Sequence, residues 1–223
     1  MAVLVSIVVP VLADAEAVAR LLDQIDVNPR IDVVVVDGGN DPRVEELAGG
    51  RPGVSFVRTR PGRGLQMNAG ADIARGEWLL FLHADSTLPA GWQAAFDADT
   101  AAVGGWFRFA LDDRAWQARI VERMVGWRVR WLRLPYGDQG LFVRRELFQR
   151  LRGFREWPMM EDVDFARRLI KAGPVLEVPL ALLTSSRRWR RRGWFRQSAR
   201  NVVLVGMYFA GVPPARLARW YAG

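Results

Sequence analysis

The sequence predicts an α/β fold, in which a mostly parallel sheet is flanked by helices on both faces. Four short apolar runs recur in residues 1–111, and helical patterns lie between them. Runs of this kind are typical of strands that are covered on both faces. Their alternation with helices favours a parallel sheet. The 223 residues contain no internal repeat or low-complexity linker, so we expect a single domain.

The first half supplies most of the predicted strands. Strands are expected at residues 4–9, 32–36, 54–57 and 78–82. A first helix is predicted from apolar residues with i, i+3, i+4 and i+7 spacing, namely Val18, Leu21, Leu22 and Ile25. A second helix should cover residues 65–74, because small residues there run up to Gly76. Residues 103–111 then alternate in polarity, which predicts a half-buried strand.

The second half is predicted to be mainly helical. Helices are expected at residues 114–134, 162–172, 193–210 and 214–221. A short strand is expected at residues 140–144, and the Arg- and Trp-rich residues 185–194 are predicted to form a loop.

Charge is divided unevenly along the chain. Residues 1–111 hold 9 basic and 14 acidic side chains, whereas residues 112–223 hold 23 basic and 10 acidic ones. A basic half indicates an anionic partner, which could be ligand phosphates, a lipid surface or nucleic acid. The chain has no Cys and one His. This composition excludes a disulfide framework and argues against a multi-histidine metal site.

No targeting or membrane-spanning segment is predicted. Residues 1–10 lack a basic start and a small-residue cleavage site. The apolar run at residues 202–212 is shorter than the roughly 20 residues that span a bilayer. We therefore expect a cytoplasmic protein. Its Trp and Arg residues fit peripheral contact at the inner face of the membrane. The alternative is that these Trp residues belong to the core and the Arg residues form a solvated face.

Polar residues follow the carboxyl end of each predicted strand, where open α/β sheets bind ligands. They occupy residues 10–14, 37–41, 58–64 and 83–85. Asp37 with its following glycines fits either a turn or a carboxylate that binds a nucleoside. Arg63 lies at the start of a predicted helix. It fits either a plain turn or a side chain that binds a diphosphate.

Two acidic motifs have both a structural and a chemical interpretation. Asp85, at the exposed end of a buried strand, can hold Mg²⁺ or Mn²⁺ together with a nucleotide diphosphate. His83 beside it fits a structural role equally well. Glu161 and Asp162 fit helix capping, or a general base whose pKa is tuned by the neighbouring carboxylate. The polar residues 136–140 fit a loop or an acceptor site.

In this order the motifs resemble the inverting glycosyltransferases of family 2, which have a GT-A-type nucleotide-sugar fold. The matching segments are SIVVP at residues 6–10, VDGGND at 36–41, RGLQMNAG at 63–70, HAD at 83–85, ED at 161–162 and RRW at 187–189. More closely, GRGxQMNxGA, LLFLHAD, YGDQ, MMEDVD and SSRRW together resemble a small bacterial subgroup associated with radical-SAM or selenium-related domains.

The resemblance implies one GT-A-type domain over residues 1–223, with a nucleotide-sugar half at 1–111 and an acceptor half with C-terminal helices at 112–223. It implies inverting transfer of a sugar from a nucleotide-diphosphate sugar to a hydroxyl acceptor, with a lipid-linked acceptor as one option. The donor-binding residues that it implies are Pro10, Asp37, Gly38, Arg63, Asn68, His83, Ala84 and Asp85.

The resemblance also implies the catalytic and acceptor residues. Asp162 corresponds to the catalytic base, with Glu161 beside it. The acceptor side is assigned to Asp138, Gln139 and Trp189. His83 stands where the family has the first Asp of its metal-binding motif, which leaves Asp85 as the ligand of a Mg²⁺ or Mn²⁺ ion.

Two other functions stay open at this point. A nucleotidyltransferase on a related fold would need a Gly-rich, Lys-bearing loop near the first strand, but residues 10–14 contain neither residue type. A nucleic-acid-binding protein would use the interleaved Trp and Arg of residues 187–196. Steeply salt-dependent oligonucleotide binding would favour the nucleic-acid-binding protein. We expect no nucleic-acid partner.

Overall fold

The centre of the molecule is one mixed sheet, seen in a computed structural model that describes residues 3–97 and 101–222. Within these residues the strands are β1 (Val5–Val11), β2 (Ile31–Asp37), β3 (Val54–Arg58), β4 (Trp78–Phe81), β5 (Ser86–Thr87), β6 (Gly104–Leu111), β7 (Phe142–Arg144) and β8 (Val175–Thr184). Their order in the sheet is β3-β2-β1-β4-β7-β6-β8-β5. Strand β7 is antiparallel to β4 and β6, and β5 to β8, whereas the other pairs are parallel. The predicted mostly parallel α/β sheet is confirmed.

Helices flank this sheet. In the described part of the chain they are α1 (Ala15–Leu22), α2 (Pro42–Gly49), α3 (Arg63–Ile73), α4 (Ala94–Asp97), α5 (Trp116–Leu132), α6 (Arg145–Arg150), α7 (Glu161–Ala172), α8 (Arg187–Arg192), α9 (Trp194–Phe209) and α10 (Pro214–Ala222), with a short 3-10 helix at Gly137–Gln139. Local sequence explains where two of them begin. The carboxylates of Asp14 and Asp41 accept hydrogen bonds from the first-turn N–H groups of α1 and α2.

The central strands are buried on both faces. Val33 and Val35 of β2 pack into one apolar layer, whereas Val34 and Val36 pack into the layer on the opposite face. Side chains alternate in this way because successive residues of a strand point to opposite sides of the sheet. This burial explains why the central strands are continuous apolar runs in the sequence.

Strand β8 was not predicted, because Pro179 interrupts its apolar run and proline is unfavourable inside a strand. The pairing of β8 with β6 shifts register between Phe107 and Arg108, where Val178 and Ala181 are the successive partners. Residues 179–180 therefore form a bulge that accommodates the proline.

Two predictions, one for each half of the chain, are wrong in detail. Strand β6 is not half-buried, because it lies between β7 and β8 and only Arg108 of its residues is exposed. Residues 185–194 do not form a loop throughout, because α8 occupies most of them. An ion pair holds α8 in place, since Arg190 Nε lies 2.5 Å from Asp113 Oδ2.

Among the described residues, every helix is too short or too polar to cross a bilayer. The predicted domain of residues 1–223 also includes residues 1–2, 98–100 and 223, which lie outside the described residues. Its division into a nucleotide-sugar half and an acceptor half stays a prediction.

Candidate active site

A cavity of about 790 Å³ lies beyond the carboxyl ends of β4 and β8. His83 and Asp85 follow β4, and Thr184 ends β8. The start of α3, the 3-10 helix, the start of α7 and parts of α8 and α9 complete its wall. This is the edge at which polar residues were predicted to gather, and it is where open α/β sheets bind ligands.

Four carboxylates surround the Arg63 guanidinium in this cavity. The Nη1 atom of Arg63 lies 3.5 Å from Oε1 of the buried Glu161. Burial lowers the pKa of Arg63, but attraction by the carboxylates raises it above its ordinary value overall. These carboxylates belong to Glu161, Asp162, Asp138 and Asp85. Arg63 therefore stays charged and offers a cation to an anionic ligand.

Asp162 is held by two main-chain groups. Its Oδ2 accepts a hydrogen bond from the Gly137 N–H at 2.8 Å, and its Oδ1 accepts one from the Val163 N–H at 2.8 Å. A Cβ atom on Gly137 would lie 3.2 Å from Asp162 Oδ2 and 3.3 Å from His83 Nε2. The absence of a side chain at Gly137 therefore lets Asp162 and His83 approach the same point. Each carboxylate oxygen of Asp162 keeps a second lone pair for a proton.

Glu161 is buried beside Asp162 at the start of α7, with 2% of its surface exposed. Burial raises the pKa of Glu161, and the neighbouring charge of Asp162 raises it further. Met160 immediately before it has a left-handed backbone, with φ of 66°, which is strained for a residue with a side chain. Carboxylates at a helix start are also favourable for the helix dipole, so the structural interpretation applies here too.

Asp138 contributes a half-buried carboxylate. Burial raises its pKa to about 6, although Arg128, Arg188 and Arg63 act in the opposite direction. Its Oδ1 atom is buried and has no hydrogen-bond partner among the described residues. An unpaired buried oxygen is costly, so it is a candidate to accept a hydrogen bond from a ligand.

Helix α8 forms the basic side of the cavity. Arg188 and Arg191 line it, and their guanidinium groups make no hydrogen bond or ion pair within the described part of the chain. Arg187 also lines it, and its Nη2 lies 3.6 Å from Asp14 Oδ2. Two free guanidinium groups can therefore bind phosphate oxygens here.

His83 and Asp85 lie at the end of β4, and both line the cavity. Burial and the charges of Arg63 and Arg188 together lower the pKa of His83 to about 3, so the imidazole is neutral. The Asp85 carboxylate has no hydrogen bond or ion pair in the described residues. Those residues contain no cluster of three or more His, Cys, Asp or Glu that could hold a metal ion unaided.

Asp37 and Gly38 do not line this cavity. Asp37 is completely buried, and its carboxylate accepts hydrogen bonds from three main-chain N–H groups, those of Ala13, Gly39 and Asp41. A Cβ on Gly38 would lie 3.1 Å from the side chain of Gln66. The Asp37 carboxylate therefore joins the loops after β1 and β2, and close packing explains the glycine at position 38.

Asn68 and Gln139 also lie outside the cavity. The amide of Asn68 donates to Phe154 O at 2.9 Å and accepts from Phe154 N at 2.8 Å. Gln139 is buried, and its amide donates to Phe107 O while its carbonyl accepts from Tyr136 N. Both side chains are occupied by the main chain, so neither is free for the donor or acceptor role predicted for it.

Three other predicted residues lie near the cavity. Trp189 lines it, although only 6% of the residue is exposed and its indole N–H donates to Ser198 Oγ. Pro10 lines a narrow cleft next to Arg63 and His83. Ala84 is half-buried and packs against the core.

Gln66, Arg188 and Arg191 were missed as contributors. The Nε2 atom of Gln66 donates to Val11 O at 2.6 Å and to Val36 O at 2.8 Å, which ties the ends of β1 and β2 together. Its partners are distant in sequence, so no local signal could have identified this role. The Arg run of residues 187–192 was a usable signal, because clustered arginines indicate an anion site.

Comparisons with known proteins agree with this fold. A sequence model of the family described as Glycosyl transferase family 2 matches residues 6–152, about two thirds of the chain. A comparison with curated protein sequences gives no match.

Three solved structures are similar to the chain. The first is a mannosyltransferase from Pyrobaculum calidifontis in complex with GDP-Man and Mn²⁺, with a TM-score of 0.66 and 19% identity over 95% of this chain and 66% of that one. TarS from S. aureus (residues 1–349) has a TM-score of 0.55 and 17% identity over 96% of this chain and 68% of that one. Glucosyl-3-phosphoglycerate synthase from Mycobacterium tuberculosis, in complex with Mn²⁺, UDP and glucosyl-3-phosphoglycerate, has a TM-score of 0.57 and 18% identity over 80% of this chain and 70% of that one.

The chain spans about two thirds of the length of these solved structures. At these identities the likeness shows the fold, and the predicted GT-A-type fold is confirmed.

Proposed function

The chain belongs to glycosyl transferase family 2, and we propose that it moves a sugar from a nucleotide-diphosphate sugar to a hydroxyl acceptor with inversion. One observation carries this proposal. A candidate base, Asp162, shares a cavity with two guanidinium groups that can bind phosphates, those of Arg63 and Arg188. The association with radical-SAM or selenium-related domains stays a prediction.

The donor diphosphate binds the basic groups of the cavity. The neighbouring carboxylates keep Arg63 charged, and Arg188 and Arg191 are free to pair with phosphate oxygens. Relatives in complex with GDP-Man or UDP support a nucleoside diphosphate as the donor group. Asp37 contributes to donor binding by shaping the loop of residues 37–41, rather than by contact from inside the cavity.

A divalent cation fits this site. Asp85 offers a free carboxylate to the cavity, and the neutral His83 lies beside it. Because no described cluster could hold a metal unaided, oxygens of the donor would complete its ligands. When bound, Mg²⁺ or Mn²⁺ would neutralise charge on the departing diphosphate. Relatives in complex with Mn²⁺ support this assignment.

The protein's own groups carry the transfer. Asp162 accepts the proton of the acceptor hydroxyl, and the hydroxyl oxygen forms a bond to the sugar's anomeric carbon. The bond from that carbon to the diphosphate oxygen breaks on the opposite face, and the diphosphate leaves with the electron pair. Arg63 and Arg188 stabilise its developing charge. Glu161 is the neighbouring carboxylate, and it forms an ion pair with Arg63.

The acceptor binds on the side of the cavity formed by Asp138 and Trp189. The unpaired Oδ1 of Asp138 would accept a hydrogen bond from an acceptor hydroxyl. The same side carries the C-terminal helices, which fits the proposed division into a nucleotide-sugar half and an acceptor half. A lipid-linked acceptor, reached from the inner face of a membrane, is part of this proposal.

A thermal-shift screen against nucleotide sugars, with and without Mn²⁺, tests the proposal. A ligand at about 100 times its Kd adds about 2.7 kcal/mol to the free energy of unfolding, which should raise Tm by several degrees. We expect at least one nucleotide sugar to do so, and more strongly with Mn²⁺. If no nucleotide sugar raises Tm, and oligonucleotides bind in a steeply salt-dependent way, the nucleic-acid alternative is favoured instead.

A further inference from the structure

Helix α5 exposes aromatic rings to solvent. The exposed fractions of Trp116, Trp127 and Trp131 are 62%, 72% and 66%, and that of Leu132 is 69%. The rings of Trp127 and Trp131 lie next to each other, with centroids 6.1 Å apart. Contiguous exposed groups of this size mark interaction sites on soluble domains. These three tryptophans are therefore not part of the core, and that alternative interpretation of the sequence is wrong for them.

The exposed charges on α5 all have one sign. Arg119, Arg123 and Arg130 are exposed on this helix. Its one acidic residue, Glu122, is turned inward, where it accepts a hydrogen bond from the Leu111 N–H and pairs with Arg119. Arg128 is half-buried and donates to Leu134 O, so it is not part of this exposed face. The face therefore combines tryptophan with arginine and carries no exposed carboxylate among the described residues of α5.

Helix α9 extends this face. The rings of Trp116 and Phe195 have centroids 6.2 Å apart, which joins the exposed residues of the two helices. Residues 178–223 contain nine Arg and no Asp or Glu. We call the joined set the Trp/Arg surface, and its members are Trp116, Arg123, Met124, Trp127, Arg130, Trp131, Leu132, Phe195, Val202, Val203 and Phe209.

We propose that the Trp/Arg surface docks the protein on an anionic phospholipid bilayer, with α5 and α9 lying in the interface plane. Trp is favoured at the headgroup level, and Arg is attracted by anionic lipid headgroups. Helices with an apolar and basic face can lie in the interface without crossing the bilayer. All the charges of the surface are positive, so they complement the charge of anionic lipid. A second copy of the same surface would be repelled, because it carries the same charge.

Docking would bring the bilayer close to the candidate active site. The side of α9 opposite the surface lines the cavity with Asn201, Leu204 and Val205. A helix is about 10 Å in diameter, so a lipid surface against α9 lies roughly one helix width from the cavity. This step rests on the proposed function, and it favours a hydroxyl acceptor carried on a membrane lipid.

Vesicle co-sedimentation with the full chain tests the docking. We expect pelleting with equimolar phosphatidylglycerol and phosphatidylcholine, little pelleting with phosphatidylcholine alone, and a fall with added salt. The double variants Arg123→Glu/Arg130→Glu and Trp127→Ser/Trp131→Ser should each reduce the partition coefficient at least about tenfold. The matched control is Arg20→Glu/Arg150→Glu on α1 and α6, which makes the same change in net charge and should pellet like the wild type.

Several results would overturn the inference. One is the absence of wild-type pelleting at low salt, and another is an equal loss of pelleting in the control double variant. A third is a concentration-dependent dimer that the Trp127→Ser/Trp131→Ser variant abolishes. Tight binding of a single-stranded oligonucleotide that competes with vesicles would assign the surface to nucleic acid instead. The surface variants should keep the nucleotide-sugar thermal shift of the wild type, so failure of docking is distinguishable from failure of the proposed function.

Discussion

The carboxylate of Asp162 accepts a hydrogen bond from the main-chain N–H of Gly137 over 2.8 Å. This contact joins the start of α7 to the 3-10 helix that carries Asp138. It orients the candidate base, because the Asp162 carboxylate cannot rotate freely while it is bound at Gly137 and Val163. The position of the base in the cavity is therefore determined by main-chain geometry on both sides.

Replacing Asp162 tests its role as the base. Asp162→Asn keeps the size of the side chain but removes its ability to accept a proton near neutral pH, so donor hydrolysis should slow by ~10²-fold or more. Donor affinity, measured by calorimetry, should change little. The control is Asp164→Asn, because Asp164 lies in the same helical turn but pairs with Arg168 outside the cavity. Near-normal turnover in Asp162→Asn would make Glu161 the candidate base.

Replacing Asp85 tests the metal assignment. Asp85→Ala removes a carboxylate oxygen ligand that a hard cation prefers, so Mn²⁺ should no longer strengthen nucleotide-sugar binding. Asp72→Ala, an exposed carboxylate on α3, is the matched control and should keep the metal effect. Calorimetric titrations with and without Mn²⁺ give the readout. An unchanged Mn²⁺ dependence in Asp85→Ala would place the metal site elsewhere.

Asp138 should reduce stability at neutral pH. Burial raises its pKa from 3.8 to about 6, so its ionised form is disfavoured in the folded protein. Stability is therefore lost as pH rises through this range, at a cost of at most about 3 kcal/mol once the group is fully ionised. Asp138→Asn should raise Tm relative to wild type near pH 8, and the difference should shrink toward pH 4. A difference that does not depend on pH would contradict this.

Arg190 should act as a positioning residue for α8. It lies outside the cavity, but its bond to Asp113 lowers the pKa of that carboxyl to about 2 and anchors the helix that carries Arg188. Arg190→Ala should weaken donor binding, although Arg190 itself does not contact the donor. Asp113→Asn should do the same, and the double variant should add little, because both changes break one interaction. Additive effects, measured as donor Kd, would show that the two residues act separately.

The sequence was most informative where one signal decides the structure. The apolar runs of β1 and β2 predicted their burial, because a strand covered on both faces needs apolar residues at every position. The ends of these strands identified the edge of the sheet where the cavity lies. Glu161, Asp162, Asp85 and Arg63 all line that cavity, as the order of the motifs predicted.

The sequence was less informative where distant contacts decide a side chain's role. Asp37 and Asn68 have the residue types of ligand contacts, but neighbouring main-chain groups occupy their polar atoms. The exposure of Trp127 could not be predicted either, because Trp and Ile alternate with Arg on α5 in a pattern that fits a core face equally well. Strand β8 was not predicted because it contains Pro179. The bulge that accommodates Pro179 depends on the pairing of β8 with β6.

The stereochemistry of donor turnover tests the central claim most directly. The measurement is NMR of the sugar released when the wild-type chain hydrolyses an α-anomeric nucleotide sugar that raised its Tm. Direct displacement on the opposite face predicts that the β-anomer appears first, and that Asp162→Asn abolishes this signal while it still binds the donor. First appearance of the α-anomer, or equal release by Asp162→Asn, would contradict the account.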